Sequence, residues 1–192
     1  VNTVVNVLGI SSLKLANRVF LAIEIVFVAA FVVIAARALN GGTIPGADWG
    51  LLPFWNSAEV SGPLLAGALS IAVLSFLGFD GISTLAEETT GRKNPAGRAM
   101  IIALFIVAFL FSLQTWLAAL LAAGRPAFAD EAVGNAFFTL VEAASSPAVK
   151  TAFLVVNVVA VGIANAMAAQ AATSRLLFSM SRDRQLPAFL SR

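Results

Sequence analysis

Long apolar runs, separated by short polar stretches, dominate this chain. Residues 19–39, 63–77 with a continuation to 86, 99–123 and 149–180 are almost uniformly hydrophobic. Each reaches or exceeds the roughly 20 residues that a helix needs to cross hydrocarbon. The pattern predicts helices over about 12–39, 62–90, 98–123 and 147–181, with a short amphipathic surface helix over about 131–144. Ser11 or Ser12 is placed to cap the first of these. Pro63 falls in the first turn of the second, where its missing N–H costs nothing. The stretches NGGTIPGADWGLLPFWN and GRKNPAG read as loops. The last helix is too long for an upright span and implies tilt or an extension past the membrane. The fold class that follows is an all-α polytopic membrane protein. The first eight residues read as the end of an earlier helix, so the chain is expected to be a piece of a larger transmembrane domain.

Composition strengthens this picture. Of the 192 residues 59% are hydrophobic and 11% charged, against about 25% charged in soluble domains. The absence of Cys and His removes disulfides, thiol chemistry and His-based metal sites. The net charge of +2 is not concentrated on one segment, which argues against nucleic acid as a partner. The basic residues are asymmetric between the two ends of the predicted helices. Lys14, Arg18, Arg92, Lys93, Arg98, Arg175, Arg182, Arg184 and Arg192 lie at one end, and only Arg37, Arg125 and Lys150 at the other. The positive-inside rule makes the first end cytoplasmic. Helix 12–39 then runs outward and helix 62–90 inward.

Polar groups inside the spans are the candidate chemistry. In SFLGFDGISTLAEET, Asp80 stands between Gly78 and Gly81, about 17 residues into its run. A carboxylate at that depth costs about 2.5–3.5 kcal/mol on insertion scales, and each helix-interior glycine about 1 kcal/mol. A local break in the helix would give these residues a purpose. Freed carbonyl and N–H groups are tolerated at membrane depth where they line protein or a watery cavity, and transporters build substrate sites that way. Close helix packing on the glycines is the alternative reading. Glu24 is a second acid within a span. Taken out of water, it is a candidate proton carrier, or else a carboxylate bonded to a neighbouring helix. Asn165, with Ala168 and Ala169, either faces a cavity or joins helices. Gln114 and Trp116 read as packing and a depth anchor. Glu87 and Glu88, near Arg92, Lys93 and Arg98, form a solvated rim or an inner gate.

Two stretches resemble a known family. SFLGFDGISTLAEETTGRKNPAGRAM is similar to the sixth helix and following loop of permeases of the amino acid/polyamine/organocation (APC) superfamily. The pattern there is roughly F-x-G-F-[DE], an acidic pair, then N-P with a nearby Arg. The run Ser174 to Asp183, SRLLFSMSRD, followed by Leu186-Pro187, resembles the end of the eighth helix. The variant leans toward the putrescine-importer-like and general amino acid permease branches. The resemblance implies helices four to eight of a LeuT-like inverted-repeat fold. In it Phe76, Leu77, Gly78, Phe79, Asp80 and Gly81 would form the unwound substrate-binding segment, and Glu24, Asn165, Glu87 and Glu88 would serve coupling or gating. Glu24 stands where some proton-coupled members carry Lys. The implied activity is import of amino acids or polyamines across the cell membrane by a multi-pass secondary transporter. No cofactor is expected beyond a coupling proton or sodium ion. The expected partners are the small-molecule substrate, the bilayer and the remaining helices of the same permease. A non-transporting membrane scaffold is the competing expectation. An intramembrane enzyme lacks a nucleophile–base pair or metal set.

Overall fold

A computed structural model describes residues 10–54, 60–76, 95–123 and 130–187. The described residues form helices α1 (Ile10–Asn40), α2 (Gly62–Ser75), α3 (Pro95–Ala122), α4 (Ala136–Ala144), α5 (Pro147–Val156) and α6 (Gly162–Arg182). Short 3₁₀ turns occupy Leu52–Phe54 and Asp130–Asn135, and one π turn, Asn157–Val161, joins α5 to α6. Among the described residues, three stretches are long and apolar enough to cross a membrane: Leu15–Asn40, Gly97–Ala122 and Pro147–Arg182. The protein is thus an all-α, multi-pass membrane protein. The Pro147–Arg182 stretch, at 36 residues, is about 54 Å long against about 30 Å of hydrocarbon. Helix α2 has 14 residues, about 21 Å. The rest of the run expected over 62–90 lies outside the described residues.

Local chemistry sets the helix ends. Ser61 accepts the Leu64 N–H at its Oγ (3.4 Å), and Ser146 does the same for Val149 (3.4 Å), each with Pro in the first turn. Both pair a side-chain acceptor with a residue that needs no N–H partner. Helix α1 stops differently. Gly42 adopts φ +61°, and the Thr43 N–H donates back to the Ala38 carbonyl at 3.1 Å. This is a Schellman ending, which a Cβ at residue 42 would strain. Helix α6 ends with the same return bond, Gln185 N–H to Met180 carbonyl at 2.9 Å, but the left-handed residue is Arg184.

The core lies at the end of the bundle where α1 and α3 finish and α5 starts. On α1, Phe31, Ala35, Ala38 and Leu39 are buried, a stripe at helical spacing. They meet Leu117, Leu120 and Leu121 of α3 and Leu140 and Val141 of α4. Ala35 and Ala38 are nearly inaccessible, and small side chains let membrane helices approach closely. The loop after α1 is tied into the same end. The Trp116 Nε1–H donates to the Gly50 carbonyl at 3.0 Å, and the Trp49 Nε1–H to Asn40 Oδ1 at 2.8 Å. Helix α4 is anchored to α5 by the ion pair Lys150 Nζ–Glu142 Oε2 at 2.6 Å. Helix α4 therefore buries one face in the core.

Away from that end the helices are bare. Leu15, Leu21, Ile25 and Val26 of α1 are more than half exposed, and α2 buries no residue. The ring of Phe76 meets Phe111 of α3 edge-on, with centroids 5.6 Å apart.

Candidate functional site

The site begins where α2 ends. Its α-helical bonding finishes at Ser75, and Phe76 takes φ −95°, ψ 3°, with its N–H turned to the Val73 carbonyl at 3.1 Å. That i to i−3 bond is a tightened last turn. Leu77, Gly78, Phe79, Asp80 and Gly81, together with Glu87 and Glu88, lie outside the described residues. Of the candidate substrate segment the structure therefore describes Phe76.

Phe76 lines an open groove of about 760 Å³ between α2 and α3, closed at one end by Phe54 and Trp116. These two rings are stacked, with centroids 5.9 Å apart. The walls are largely apolar, with Ser75, Ser112, Gln114 and Thr115 as the polar residues. Two of these have part of their bonding capacity in use. Ser75 Oγ–H donates to the Ile71 carbonyl (3.0 Å) and Gln114 Nε2 to the Leu110 carbonyl (3.2 Å).

A second, smaller cavity of about 140 Å³ lies between α1, α3, α4, α5 and the π turn. Glu24, Gln114 and Asn157 line it, and phenylalanines supply most of the remaining wall. Those rings form a connected stack. Phe27 meets Phe153 edge-on at 4.8 Å, Phe31 meets Phe137 at 4.9 Å, and Phe137 meets Phe138 edge-on at 5.5 Å. Gln114 and Phe137 line both spaces, so they form the partition between the groove and the Glu24 cavity.

Glu24 is half-buried, and among the described residues its carboxylate has no hydrogen-bond or ion-pair partner. No buried side-chain oxygen among those residues lacks a partner, so the Glu24 oxygens keep some accessible surface. The basic residue before it on α1, Arg18, is six residues away, about 9 Å along the axis, and exposed. Asn165 is exposed and lines neither space. Asn165 lies eight residues beyond Asn157, about 12 Å farther along the helix axis. Gly162 N–H bonds to the Asn157 carbonyl, five residues back, which underwinds the helix locally. Asn157, at the start of the π turn, is the residue that reaches the Glu24 cavity. Single π turns inside α-helices are frequent at functional sites.

Sequence reasoning gave Gln114 only a packing role and named none of the Phe27, Phe137 and Phe153 rings. A phenylalanine in an apolar run carries no sign of which face it takes. Gln114 did carry a signal, as an amide inside a span.

The chain is 28% identical over 185 residues to the low-affinity putrescine importer PlaP of Escherichia coli K12, and equally to that of Escherichia coli O157:H7. The alignment covers 96% of this chain and 40% of each relative, so the chain spans well under half of their length. No solved structure matches. The family description "Amino acid permease" matches residues 1–192. A match that runs through every helix and both cavities settles the family: the chain belongs to the amino acid permeases.

Proposed function

We propose that this chain is part of a secondary transporter that imports amino acids or polyamines across the cell membrane. The complete protein works by alternating access, with helix bundles rocking around a midplane site in a LeuT-like arrangement. The segment from Phe76 to Gly81 binds substrate, and Asp80 holds the amine. Glu24 is the coupling group and exchanges a proton as the site changes face. Gln114 and Phe137 separate the two compartments.

The observation that carries this reading is the end of regular helix at Ser75, with Phe76 on the wall of the 760 Å³ groove. After about 21 Å of helix, that point lies partway through the hydrocarbon. An end at such depth needs protein or a cavity to satisfy its backbone, and the groove adjoins it. The putrescine importers to which the chain is similar support a substrate that carries an amine. Family and relatives both favour a transporter over an enzyme.

The test is uptake by cells that express the complete gene product, with labelled putrescine, a neutral amino acid and a basic amino acid, at two external pH values. Saturable uptake of at least one substrate, higher at the more acidic pH, is expected. Entry of none above vector controls would overturn the transporter reading. Uptake unchanged by both Asp80→Asn and Glu24→Gln would leave these residues to packing.

A further inference from the structure

We infer that the loop from Gly41 to Phe54 is a lid over the outer end of the groove between α2 and α3, and that Trp116 is its latch. The inference deepens the transporter reading, on which the use of such a lid in import rests.

The base of the loop is built into the bundle. Gly42 ends α1 in the left-handed region, and the chain turns directly into the core, where Ile44 and Ala47 are buried. The Ala47 N–H closes a turn on the Ile44 carbonyl at 3.2 Å, with Gly46 at φ +80° inside it. The Trp49 indole N–H, bonded to Asn40 Oδ1 at 2.8 Å, ties the far side of this turn back to the end of α1. These contacts hold the base whatever the tip does.

The tip, Gly50 to Phe54, is held differently and rests on Trp116 of α3. The Trp116 indole N–H donates to the Gly50 carbonyl at 3.0 Å. Its ring stacks on Phe54, with centroids 5.9 Å apart and planes 27° apart. The Trp49 ring lies 5.7 Å from the same indole, so Trp116 joins the tip to the fixed base. One neutral hydrogen bond and one ring stack are each of modest net worth. A tip held by these two contacts opens without unfolding the bundle.

Position gives the tip its function. Pro53 and Phe54 line the groove beside Trp116, and Phe76, the start of the candidate substrate segment, lines the same groove. The charge asymmetry puts the end of α3, and with it Trp116, on the extracellular side. Ser112, also on the wall, lies one turn inward of Trp116, about 6 Å along the axis. A solute entering along this wall meets Phe54 and Trp116 before Ser112. With the bond to Gly50 made, the tip closes that end of the groove. With the bond broken and Phe54 lifted from the indole, the end opens. Trp116 acts through the loop and is a positioning residue.

The test uses Ser112→Cys as a reporter thiol in the complete gene product, where the 192 residues contribute no other cysteine. A membrane-impermeant thiol reagent is applied outside intact cells, and labelling of the protein without Ser112→Cys is subtracted. The rate is measured with the native loop, with Trp116→Phe, which keeps a ring and removes the donor, and with Phe54→Ala, which removes the stacked ring. Val133→Cys, on the separate Asp130–Asn135 turn, is the reference thiol. The lid predicts that Trp116→Phe raises the rate at Ser112→Cys roughly three- to tenfold, the population change that one neutral hydrogen bond supports. Phe54→Ala raises it at least as much, and the rate at Val133→Cys moves less than about twofold in either variant. A rate at Ser112→Cys that either variant leaves unchanged, an equal rise at Val133→Cys, or a reporter thiol that the reagent reaches in no variant would each overturn the lid. Phe54→Ala decides the matter if Trp116→Phe does not fold. Labelling needs no transport, so uptake assayed in parallel separates the two readings. Latch-dependent labelling without uptake of any amine or amino acid sinks the transporter and keeps the lid, while uptake with labelling indifferent to both loop variants does the reverse.

Discussion

Replacing Phe137 by Ala should both loosen the bundle and breach the partition between its two spaces. The ring lies 4.9 Å from Phe31, 5.5 Å from Phe138 and 6.4 Å from Phe153, measured between centroids. Aromatic pairs contribute about 0.5–1.5 kcal/mol each beyond their burial, and the two nearer contacts therefore supply about 1–3 kcal/mol. Phe137 is half-buried, so the burial and cavity cost falls below the about 3–5 kcal/mol of a fully enclosed Phe→Ala change. A total loss of about 3 kcal/mol follows. Thermal unfolding of the detergent-purified complete gene product, at one fixed scan rate, should show a drop on the order of 5 °C. Phe137→Leu, which keeps bulk but not the ring, should recover about half of that drop. Uptake should fall at least tenfold in the Ala variant, because Phe137 walls both the groove and the Glu24 cavity. If Phe137→Ala melts within about 1 °C of wild type and transports normally, the ring is neither a keystone nor a partition.

Other consequences are smaller and separable. Ser146→Ala removes the side-chain acceptor of the Val149 N–H and should cost about 1 kcal/mol, read as faster amide hydrogen exchange in the first turn of α5. Trp116→Phe deletes the bond to the Gly50 carbonyl and should make the loop before the Leu52–Phe54 turn more sensitive to limited proteolysis, with the bundle still folded. Arg184→Gly relieves a left-handed residue at the end of α6. It should stabilise that end by about 1 kcal/mol, seen as slower exchange over the last turn.

Much of the fold was legible because hydrocarbon imposes a length and an apolar composition. The runs at 19–39, 99–123 and 149–180 declare helices whatever their neighbours are. What the sequence hid is rotational. Helix α3 is apolar all round, so nothing in its pattern says that Leu117 and Leu121 face the core while Phe105 and Phe109 stay exposed. Helix α4 read as amphipathic, but its pattern did not single out Leu140 and Val141 as the residues that pack into the bundle. The π turn was invisible, since no Pro or Gly marks its start at Asn157. Asn157, at its start, lines the Glu24 cavity. Glu24 was found because an acid within a span is conspicuous. Its companions were not, because amides and phenylalanines are ordinary there.

The account turns on Phe76 standing at a substrate-accessible helix end inside the membrane. The 192 residues contain no cysteine, so Phe76→Cys introduces a single thiol into this stretch. The decisive measurement is the rate at which a membrane-impermeant thiol reagent modifies that residue in the complete gene product, with and without saturating substrate. The account predicts modification from the aqueous phase that substrate slows at least several-fold. A thiol that the reagent never reaches, or one modified at the same rate whether or not substrate is present, would contradict it.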